Sequence, residues 1–354
     1  MAMGLPLVTK SPMSTLPHIG RLAAGPRNSI TDVAGVTVGH CTLDDGPVQT
    51  GVTVIAPHGG NLFTHRLPAA AAVINGFGKS AGLVQLEELG LLETPIALSN
   101  TFAVGTLLNA QIAHTLRANP QCGRSLPTVN PLVLECNDGY LNDLQAMAVQ
   151  PAHFDAALQA VSSEVAQGSV GAGRGMSSFG LKGGIGTASR VAIVGAAGQG
   201  YTVGALVLSN FGRLPELILA GDPLGARLAA AEPPDAAPEK GSIIILLATD
   251  APLDARQLKR LAVRAGAGLA RTGSAYGHGS GDIALAFSTA QQIEAEAECA
   301  QMALLADHLL DPLFHAAADS VEQAIVHALF AAETVYGRDG HVRVSLRERL
   351  AASN

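Results

Sequence analysis

The sequence predicts a mixed α/β protein, and three observations support that prediction. Short apolar runs alternate with amphipathic stretches along the chain, which is typical of strands and helices that share one core. Hydrophobic residues make up 48% of the 354 positions and charged residues only 14%, as in a tightly packed globular interior. Glycine occurs 40 times and tryptophan is absent, a small-residue bias that favours close packing of helices on sheets. At this length we expect two domains or one large one.

Charge and cysteine usage narrow the class of function. A net charge of −7 argues against a nucleic acid or an anionic membrane as partner, so chemistry on a small molecule is the better expectation. No apolar run approaches the roughly 20 residues of a membrane helix, and the first 20 residues lack the apolar core of a signal peptide. We therefore expect a cytoplasmic protein. The cysteines have no paired spacing, so we expect buried reduced thiols, no zinc and no cofactor; they are Cys41, Cys122, Cys136 and Cys299.

The first half of the chain predicts strands that are bounded by glycine, proline or asparagine. They cover residues 52–56, 70–74, 95–98 and 131–136. Amphipathic stretches predict helices at 83–89, 103–118 and 153–166. A glycine-rich stretch, 168–186, then leads into two strands, 190–194 and 201–208, which the glycines between them allow to join as a hairpin.

The second half begins with residues 213–240, which carry five prolines and several acids. We expect this segment to be a surface excursion that is exposed to cleavage. The β-branched and apolar run after Ser242 predicts a strand that is covered on both faces. A helix capped by Asp250, with Pro252 in its first turn, is predicted to reach residue 269. A strand at 283–288 and mostly helix over 291–336 complete the chain.

The pair Gly241-Ser242 stands where the excursion ends and the buried strand begins. Gly241 has no Cβ, so it can adopt strained backbone angles and leaves its carbonyl carbon open to the Ser242 hydroxyl. Cleavage through an ester would give Ser242 a free α-amine with a pKa of about 7.7–8.0, which can serve the hydroxyl as a base. Taken alone, the pair is more simply the end of an ordinary linker.

Ser280 and Asp282 stand two residues apart where the strand at 283–288 begins. In an extended chain they point to the same face, so a hydroxyl and a carboxylate could together orient an amine or hydroxyl nearby. The alternative is a polar turn in which Asp282 makes a local hydrogen bond, and the two residues alone favour that alternative.

Three further polar residues are candidates for a site. Glu135 interrupts the apolar run at 131–136, so its carboxylate either reaches solvent or binds a cation. Tyr140 follows the Asn-Asp-Gly turn, and its hydroxyl could donate to an oxyanion, as could the amide of Asn210. A packed tyrosine and a strand-end asparagine are the alternatives. Asn100 ends a Leu-Ser-Asn sequence like that of Asn210, so the pattern does not choose between the two asparagines.

Two other sequence patterns are weaker evidence for a functional site. The glycines of 171–186 invite a phosphate-loop interpretation, but Lys182 is followed by Gly183 and the Walker spacing is absent. We take this stretch as turns and a hairpin that line one side of a site, with phosphate binding a minor possibility. His308, Asp311 and His315 form the closest histidine cluster, which we interpret as a solvated helix face because a third strong metal ligand is lacking.

Several long motifs, in the right order, resemble those of the self-processing aminopeptidases that include L-aminopeptidase D-amidase/D-esterase and the β-peptidyl aminopeptidases. The resemblance covers nearly the whole chain. The motifs are Glu-Cys-Asn-Asp-Gly-Tyr-Leu-Asn-Asp at 135–143, Lys-Gly-Gly-Ile-Gly-Thr at 182–187, Gly-Ser-Ile-Ile-Ile and Ala-Thr-Asp-Ala-Pro-Leu within 241–253, and Gly-Ser-Gly-Asp-Ile at 279–283.

The resemblance implies a single four-layer αββα sandwich like that of N-terminal-nucleophile hydrolases, with its own connectivity. It implies self-cleavage between Gly241 and Ser242 into an α chain, 1–241, and a β chain, 242–354, that stay together and form oligomers of αβ pairs, often four. By the same resemblance Ser242 is the nucleophile, and Ser280 and Asp282 assist it. Tyr140 and Asn210 would donate to the oxyanion, and Glu135 would hold the substrate amine.

The expected activity is release of N-terminal amino acids from short peptides, amides or esters through an acyl-enzyme. Some β-peptidyl members have glutamate where this chain has Asp282, which favours the L-aminopeptidase and D-amidase branch; a β-peptidyl aminopeptidase is the alternative. Two other functions stay open. An acyltransferase of related architecture would pass its acyl group to an amine and would usually have a threonine nucleophile. An uncleaved, glycine-rich ligand-binding protein would remain one intact chain.

Overall fold

Two β-sheets lie face to face, and helices cover the outer face of each. The computed structural model describes residues 16–230 and 240–353. Strands of the described chain are β1 Thr37–Asp45, β2 Val48–Ala56, β3 His65–Gly76, β4 Leu91–Leu92, β5 Ile96–Asn100, β6 Leu132–Cys136, β7 Ser177–Ser178, β8 Leu181–Lys182, β9 Gly184–Val194, β10 Gln199–Asn210, β11 Lys240–Thr249, β12 Gly279–Ser288, β13 Ile293–Glu294, β14 Val335–Tyr336 and β15 Val342–Arg343. The α-helices are α1 Leu83–Leu89, α2 Val104–Ala118, α3 Pro151–Gln159, α4 Leu224–Ala229, α5 Ala255–Arg271, α6 Asp311–Ala331 and α7 Leu346–Ala352.

The small sheet has the strand order β1-β2-β5-β6, and the large sheet has β13-β3-β12-β11-β10-β9 with β4 beside β3. At the centre of the large sheet, β11 pairs in parallel with β12 and antiparallel with β10. The central strands bury one face against the other sheet and one face against helices, because successive side chains alternate. The apolar core therefore has three layers.

The first core layer lies between the small sheet and helices α2 and α3, where Val54 and Val133 meet Leu107 and Phe154. The second lies between the two sheets, and the third between the large sheet and helices α5 and α6. The order of layers is helix, sheet, sheet, helix. The four-layer αββα sandwich that the sequence resemblance implied is confirmed.

Strand β11 explains why the run after Ser242 is apolar on both faces. Ile244 and Leu246 point into the core between the sheets, while Ile243 and Ile245 point toward the helices. All four side chains have no exposed surface. Burying one such side chain contributes about 1.5–3 kcal/mol, so this strand is a rigid support for the residue at its start.

Most of the predicted strands and helices are present. The predicted helix at 83–89 is α1, the predicted helix at 103–118 is α2, and β9 and β10 form the predicted hairpin. Strand β1 was not predicted. Only two of its nine residues are buried, so it lacks the apolar pattern by which a strand is recognised.

Three predicted helix boundaries were wrong. Helix α5 begins after Asp254, whose carboxylate accepts from the Gln257 N–H at 2.7 Å in a capping box. Asp250, the predicted cap, instead accepts from the Thr202 N–H at 2.7 Å. Helix α3 ends at Gln159 rather than 166, because Ser162 exchanges two backbone hydrogen bonds with Val38 of β1.

The third error concerns residues 291–336, which were predicted to be mostly helical. The α-helix here is α6 and begins only at Asp311, while Ile293–Glu294 pairs with β3. Strand pairing with a distant part of the chain therefore decides the structure of residues 293–294, and their local composition does not.

Residues 213–230 are not the exposed excursion that their prolines predicted. Leu217, Leu219, Leu224 and Leu228 are buried in the core beneath the large sheet. Residues 231–239, the rest of that predicted segment, lie outside the described residues.

The four cysteines are free thiols, as predicted. Cys122 and Cys136 are buried, whereas Cys41 is partly exposed and Cys299 is exposed. The prediction that all of them are buried was therefore wrong for two. No helix in the described residues is long and apolar enough to cross a membrane.

Candidate active site

Ser242 is the third residue of β11 and lies in the face-to-face contact of the two sheets. Its side chain shares a face with Ile244, because alternate residues of a strand point the same way. The residue is 4% exposed, and within the described residues its Oγ makes no hydrogen bond to nitrogen or oxygen. The polar group beside it is the Cys136 thiol. Burial raises the pKa of that thiol well above its usual range, and a hydrogen bond with Ser242 acts in the opposite direction.

Gly241 precedes the nucleophile candidate in the same strand, and its small size has a direct structural reason. A Cβ on Gly241 would lie 2.6 Å from the Asn210 carbonyl oxygen and 2.8 Å from the Phe211 Cα. The backbone of Gly241 is part of a continuous strand and does not have a positive φ. Close approach of the neighbouring strand, rather than the strained backbone angle we had expected, is what requires glycine here.

Asn210 lies directly opposite Ser242 in the pairing of β10 with β11. Its Oδ1 accepts from the Ser177 N–H at 2.8 Å, and its Nδ2 donates to the Asn137 carbonyl at 3.0 Å. An amide nitrogen carries two hydrogens, and the Asn137 carbonyl accepts one of them.

Asn100, which the sequence could not separate from Asn210, makes different contacts. Its Nδ2 donates to the Thr50 Oγ1 at 2.8 Å, and its Oδ1 accepts from the N–H groups of Phe102 and Ala103. It caps the 3-10 turn Thr101–Ala103. The structure therefore assigns a local structural role to Asn100 and a place at Ser242 to Asn210.

Ser280 and Asp282 are both in β12, and the Ser280 Oγ donates to the Asp282 Oδ1 at 2.6 Å. Both are almost fully buried, so the pair is part of the strand and not the polar turn that was the alternative. In the parallel pairing of β11 with β12, Ser280 lies beside Gly241, and Asp282 lies beside Ile243. Their side chains share the helix-side face with Ile243. The pair therefore flanks the main chain of Ser242 from the face opposite its hydroxyl.

Glu135 is at the end of β6 and is 4% exposed. Its Oε1 accepts from the Lys79 N–H at 2.7 Å, and its Oε2 accepts from the Thr101 Oγ1 at 2.5 Å. Two donors thus hold the carboxylate in a buried position. The sequence left solvent or a cation as its alternatives; in the structure the carboxylate is withdrawn from solvent and held by neutral donors.

A thin segment of chain separates Glu135 from the strand beside Ser242. Gly281 pairs with Ser242 across β12 and β11, and a Cβ on Gly281 would lie 2.5 Å from the Phe77 carbonyl oxygen. A Cβ on the next residue, Gly78, would lie 3.3 Å from the Glu135 Oε1. The backbone of Phe77 and Gly78 thus packs closely against Gly281 and approaches the Glu135 carboxylate.

Tyr140 is 38% exposed and is held from its ring rather than packed into the core. The ring stacks on His341 with a centroid distance of 4.5 Å, and the Arg343 guanidinium carbon lies 3.5 Å from its centroid. The backbone carbonyl of Tyr140 bonds to the His341 Nδ1 at 2.7 Å.

Two residues that the sequence did not single out connect these candidates. The Arg343 Nε donates to the Ser177 Oγ at 3.1 Å, and the Ser177 backbone bonds to Asn210. Arg343 thus contacts Tyr140 on one side and the support of Asn210 on the other. No local motif marks either residue, since Arg343 reaches the site only through the small hairpin β14-β15.

The glycine-rich stretch encloses a buried lysine. The Lys182 Nζ donates to the carbonyls of Gly173, Met176 and Gly183, each at 2.8 Å. The residue has no exposed surface, and burial lowers its pKa well below the usual range. The ammonium therefore organises the loop that carries Ser177, and it is not available to a phosphate.

Asp138 lies in the turn between Asn137 and Tyr140 and is 1% exposed. Its Oδ1 accepts from the Asn142 Nδ2 at 3.0 Å. Burial raises its pKa to about 7. The turn that joins Asn137 to Tyr140 thus contains a buried carboxyl whose pKa is close to neutrality.

His308, Asp311 and His315 are exposed on the outer surface, as the interpretation of a solvated helix face predicted. Among the residues that the structure describes, no three His, Cys, Asp or Glu side chains are grouped as a metal site.

The four-layer αββα fold is that of N-terminal-nucleophile-type hydrolases, and Ser242 lies at the start of its central strand. Comparison with known proteins places the chain within that class. The model of peptidase family S58 matches residues 28–343, so the chain belongs to this family. It is an aminopeptidase.

Named relatives and solved structures match this chain over almost its full length. The chain is 41% identical over 344 residues to β-peptidyl aminopeptidase BapA of Sphingosinicella microcystinivorans, covering 90% of this chain and 85% of that one. A Pyrococcus horikoshii OT3 protein of known crystal structure is 48% identical with a TM-score of 0.89, over 95% of this chain and 96% of that one. The Ochrobactrum anthropi L-aminopeptidase D-Ala-esterase/amidase, described as a variant of the Ntn hydrolase fold, is 37% identical with a TM-score of 0.87 and coverage of 95% and 96%.

Proposed function

We propose that the chain cuts itself between Gly241 and Ser242 and then acts as an aminopeptidase with Ser242 as its N-terminal nucleophile. The observation that carries the proposal is the surroundings of Ser242. Its hydroxyl is buried and lies opposite the Asn210 amide, and its main chain is flanked by the Ser280–Asp282 pair.

Self-cleavage needs no further reagent than water. The Ser242 Oγ attacks the Gly241 carbonyl carbon, the peptide C–N bond breaks, and the nitrogen takes up the hydroxyl proton to become an α-amine. Gly241 is then held as an ester on Oγ. Water hydrolyses the ester, which gives a carboxylate on Gly241 and restores the hydroxyl.

The two chains would remain one folded unit after the cut. The large sheet interleaves β3, β9 and β10 from residues before the cut with β12, β13 and all but the first two residues of β11 from after it. Every strand pair between the two groups would have to separate before the chains could part. We further propose that the αβ pairs assemble into oligomers, of four pairs, which light scattering on the purified protein would count.

In turnover, the freed α-amine accepts the Ser242 proton as Oγ attacks the carbonyl after the substrate's first residue. Ser280 and Asp282, on the opposite face of the strand, orient that amine. The free N–H of Asn210 and the Tyr140 hydroxyl donate to the oxyanion. The buried carboxylate of Glu135 binds the substrate ammonium. The leaving amine departs with the proton, and water releases the acyl group.

The substrates are short peptides, amides and esters with a free amine. Identity to a β-peptidyl aminopeptidase supports a second candidate, in which the first residue of the substrate is a β-amino acid. Rates on p-nitroanilides of L-alanine, D-alanine and β-homoalanine would rank the candidates. Release of free amino acid, rather than of an acylated amine, would separate a hydrolase from an acyltransferase.

A denaturing mass spectrum with N-terminal sequencing tests the cut. We expect two chains, one of which starts Ser-Ile-Ile-Ile. Ser242→Ala should give one intact chain and no turnover. Ser288→Ala is the matched control, because this buried hydroxyl lies at the other end of β12 and donates to the Ala251 carbonyl; it should cut and turn over. Cleavage or turnover in Ser242→Ala would refute the proposal.

A further inference from the structure

We propose that Arg343 is a positioning residue for the reaction, which holds both oxyanion donors, Asn210 and Tyr140, in place. It does so as part of a C-terminal hairpin, residues 335–344, that is built on β14 and β15. The inference rests on the proposed function, in which those two residues donate to the oxyanion. Arg343 acts through the donors and is not itself a catalytic residue.

The amide of Asn210 depends on two segments that are far apart in the chain. Its Oδ1 accepts from the Ser177 N–H at 2.8 Å, and its Nδ2 donates to the Asn137 carbonyl at 3.0 Å. Ser177 begins the small hairpin of β7 and β8. Asn137 begins a turn, residues 137–142, that also carries Tyr140 and is called the Tyr140 turn below. Both donors therefore keep their positions only while these two segments keep theirs.

The C-terminal hairpin is hydrogen-bonded to the first of these segments, the Tyr140 turn. Arg338 donates from its backbone N–H to the Leu141 carbonyl and from its Nε to the Gly139 carbonyl, both at 2.8 Å. The Tyr140 carbonyl lies 2.7 Å from the His341 Nδ1. Three consecutive carbonyls of the turn thus contact one hairpin.

The C-terminal hairpin is also hydrogen-bonded to the second segment, the hairpin of β7 and β8. The Arg343 Nε donates to the Ser177 Oγ at 3.1 Å. The Lys182 backbone N–H donates to the Val344 carbonyl at 2.9 Å. The C-terminal hairpin therefore bridges the two segments that hold the Asn210 amide.

Arg343 is the side chain of this hairpin that reaches both donors. Its guanidinium carbon lies 3.5 Å from the centroid of the Tyr140 ring, and the same ring stacks on His341 with an interplanar angle of 9°. A flat guanidinium can stack on a ring while its N–H groups make hydrogen bonds at its edge. One side chain thus fixes the direction of the Tyr140 ring and the position of Ser177, so its loss should loosen both donors.

The C-terminal hairpin and the donors lie on opposite sides of the proposed cut. The hairpin belongs to the β chain, 242–354, whereas Ser177 and the two donors belong to the α chain, 1–241. In the mature enzyme the β chain would therefore supply both the nucleophile and the support of the oxyanion donors.

The kinetic test is Arg343→Met in the mature enzyme, with an alanine p-nitroanilide as substrate. We expect kcat to fall by about 10- to 100-fold, because small displacements of preorganised groups are costly in the transition state. KM should stay within about twofold, since the oxyanion forms only in the transition state. Arg343→Lys should lie between the two, because an ammonium keeps the charge but loses the flat fork. Arg347→Met, at an exposed position of α7, is the control and should keep the wild-type kcat.

Combination with donor variants separates positioning from a general loss of structure. The factor by which Arg343→Met lowers kcat should shrink by about threefold or more in an Asn210→Ala or a Tyr140→Phe background, because a donor that is absent cannot be displaced. A merely structural role would give the same factor in all three backgrounds.

Ser177→Ala is a second variant, and it does not depend on whether Arg343→Met folds or cuts itself. It removes the Oγ that Arg343 binds and keeps the N–H that donates to Asn210. We expect kcat to fall by about 3- to 10-fold with KM unchanged, as for the loss of one hydrogen bond.

Three outcomes overturn the inference. They are a wild-type kcat in Arg343→Met, an Arg343→Met factor that is equal in all backgrounds, and a wild-type kcat in Ser177→Ala. If Arg343→Met yields no folded enzyme, the kinetics of Ser177→Ala decide. Failure of the proposed function shows separately, as turnover or cleavage in Ser242→Ala.

Discussion

Asn210 and Ser242 lie directly opposite each other on β10 and β11, and both side chains point into the contact between the two sheets. The amide of Asn210 is fixed at both ends, by the Ser177 N–H and by the Asn137 carbonyl. A donor held in this way is preorganised, so it loses nothing in reorganisation when negative charge develops on the bound carbonyl.

Asn210→Ala should therefore lower kcat by about 10²–10³, the usual cost of one oxyanion donor. Asn100→Ala is the matched control, since it removes the other Leu-Ser-Asn asparagine and should cost about 1 kcal/mol of stability through a lost cap while leaving kcat near that of the wild type. Steady-state kinetics on an alanine p-nitroanilide checks both. An unchanged kcat in Asn210→Ala would remove the role proposed for this residue.

Asp282→Asn should lower kcat/KM by about 10- to 100-fold, as expected for losing a hydrogen bond to a charged group of about 1.5–3 kcal/mol. A carboxylate near an ammonium favours the charged form and so raises the amine's pKa. Its removal should therefore move the acidic limb of the pH–rate profile to lower pH. The full pH profile is the measurement, and a slower enzyme whose limb has not moved would argue that Asp282 is only structural.

Gly241→Ala should slow self-cleavage, because its Cβ would lie 2.6 Å from the Asn210 carbonyl oxygen. The strand must shift to relieve that overlap, and the attack geometry shifts with it. A time course of chain separation on denaturing gels measures the rate. Gly105→Ala in α2 serves for comparison, since a Cβ there meets nothing within 4 Å and the residue does not have a positive φ. Equal cleavage rates in the wild type and Gly241→Ala would show that close packing at this position is unimportant.

Lys182→Met should destabilise the protein by about 2–4 kcal/mol. Three buried carbonyls lose their donor, at about 1–3 kcal/mol each, and removing the desolvation cost of a buried charge offsets part of that loss. Urea denaturation measures the change. Lys259→Met is the control; this exposed lysine pairs with Glu87 on the surface, and such pairs contribute about 0–1 kcal/mol. A loss no larger than that of Lys259→Met would mean that the ammonium does not hold the glycine-rich loop together.

Asp138 should make stability depend on pH. Its pKa is about 7 in the folded chain and about 3.9 when unfolded, so the folded state binds the proton more strongly. Stability from this group is complete below about pH 4 and is lost as pH rises toward 7, at up to about 1.4 kcal/mol per pH unit. Asp138→Asn should flatten that decline in urea titrations at pH 4–7, whereas Asp45→Asn, at an exposed position, should not. An unaltered slope in Asp138→Asn would contradict the assignment.

The sequence by itself determined the αβ alternation, the buried strand after Ser242 and the placement of Ser280 and Asp282 on one face. These depend on side-chain period and apolar content, which neighbouring residues alone can set. The same local rules failed where distant chain competes. Helix α3 ends early because β1 pairs with the residues beyond it. Ile293–Glu294, in the segment that was predicted to be helical, instead forms a strand that pairs with β3.

Tertiary structure decided which polar groups meet. Asn100 and Asn210 end the same three-residue pattern, and only the pairing of β10 with β11 brings one of them to Ser242. Arg343 and Ser177 carry no motif, since their position at Tyr140 and Asn210 depends on contacts between segments far apart in the chain. Sequence patterns report which face a side chain takes, whereas sheet register and loop packing fix its neighbours, and these are properties of the whole folded chain.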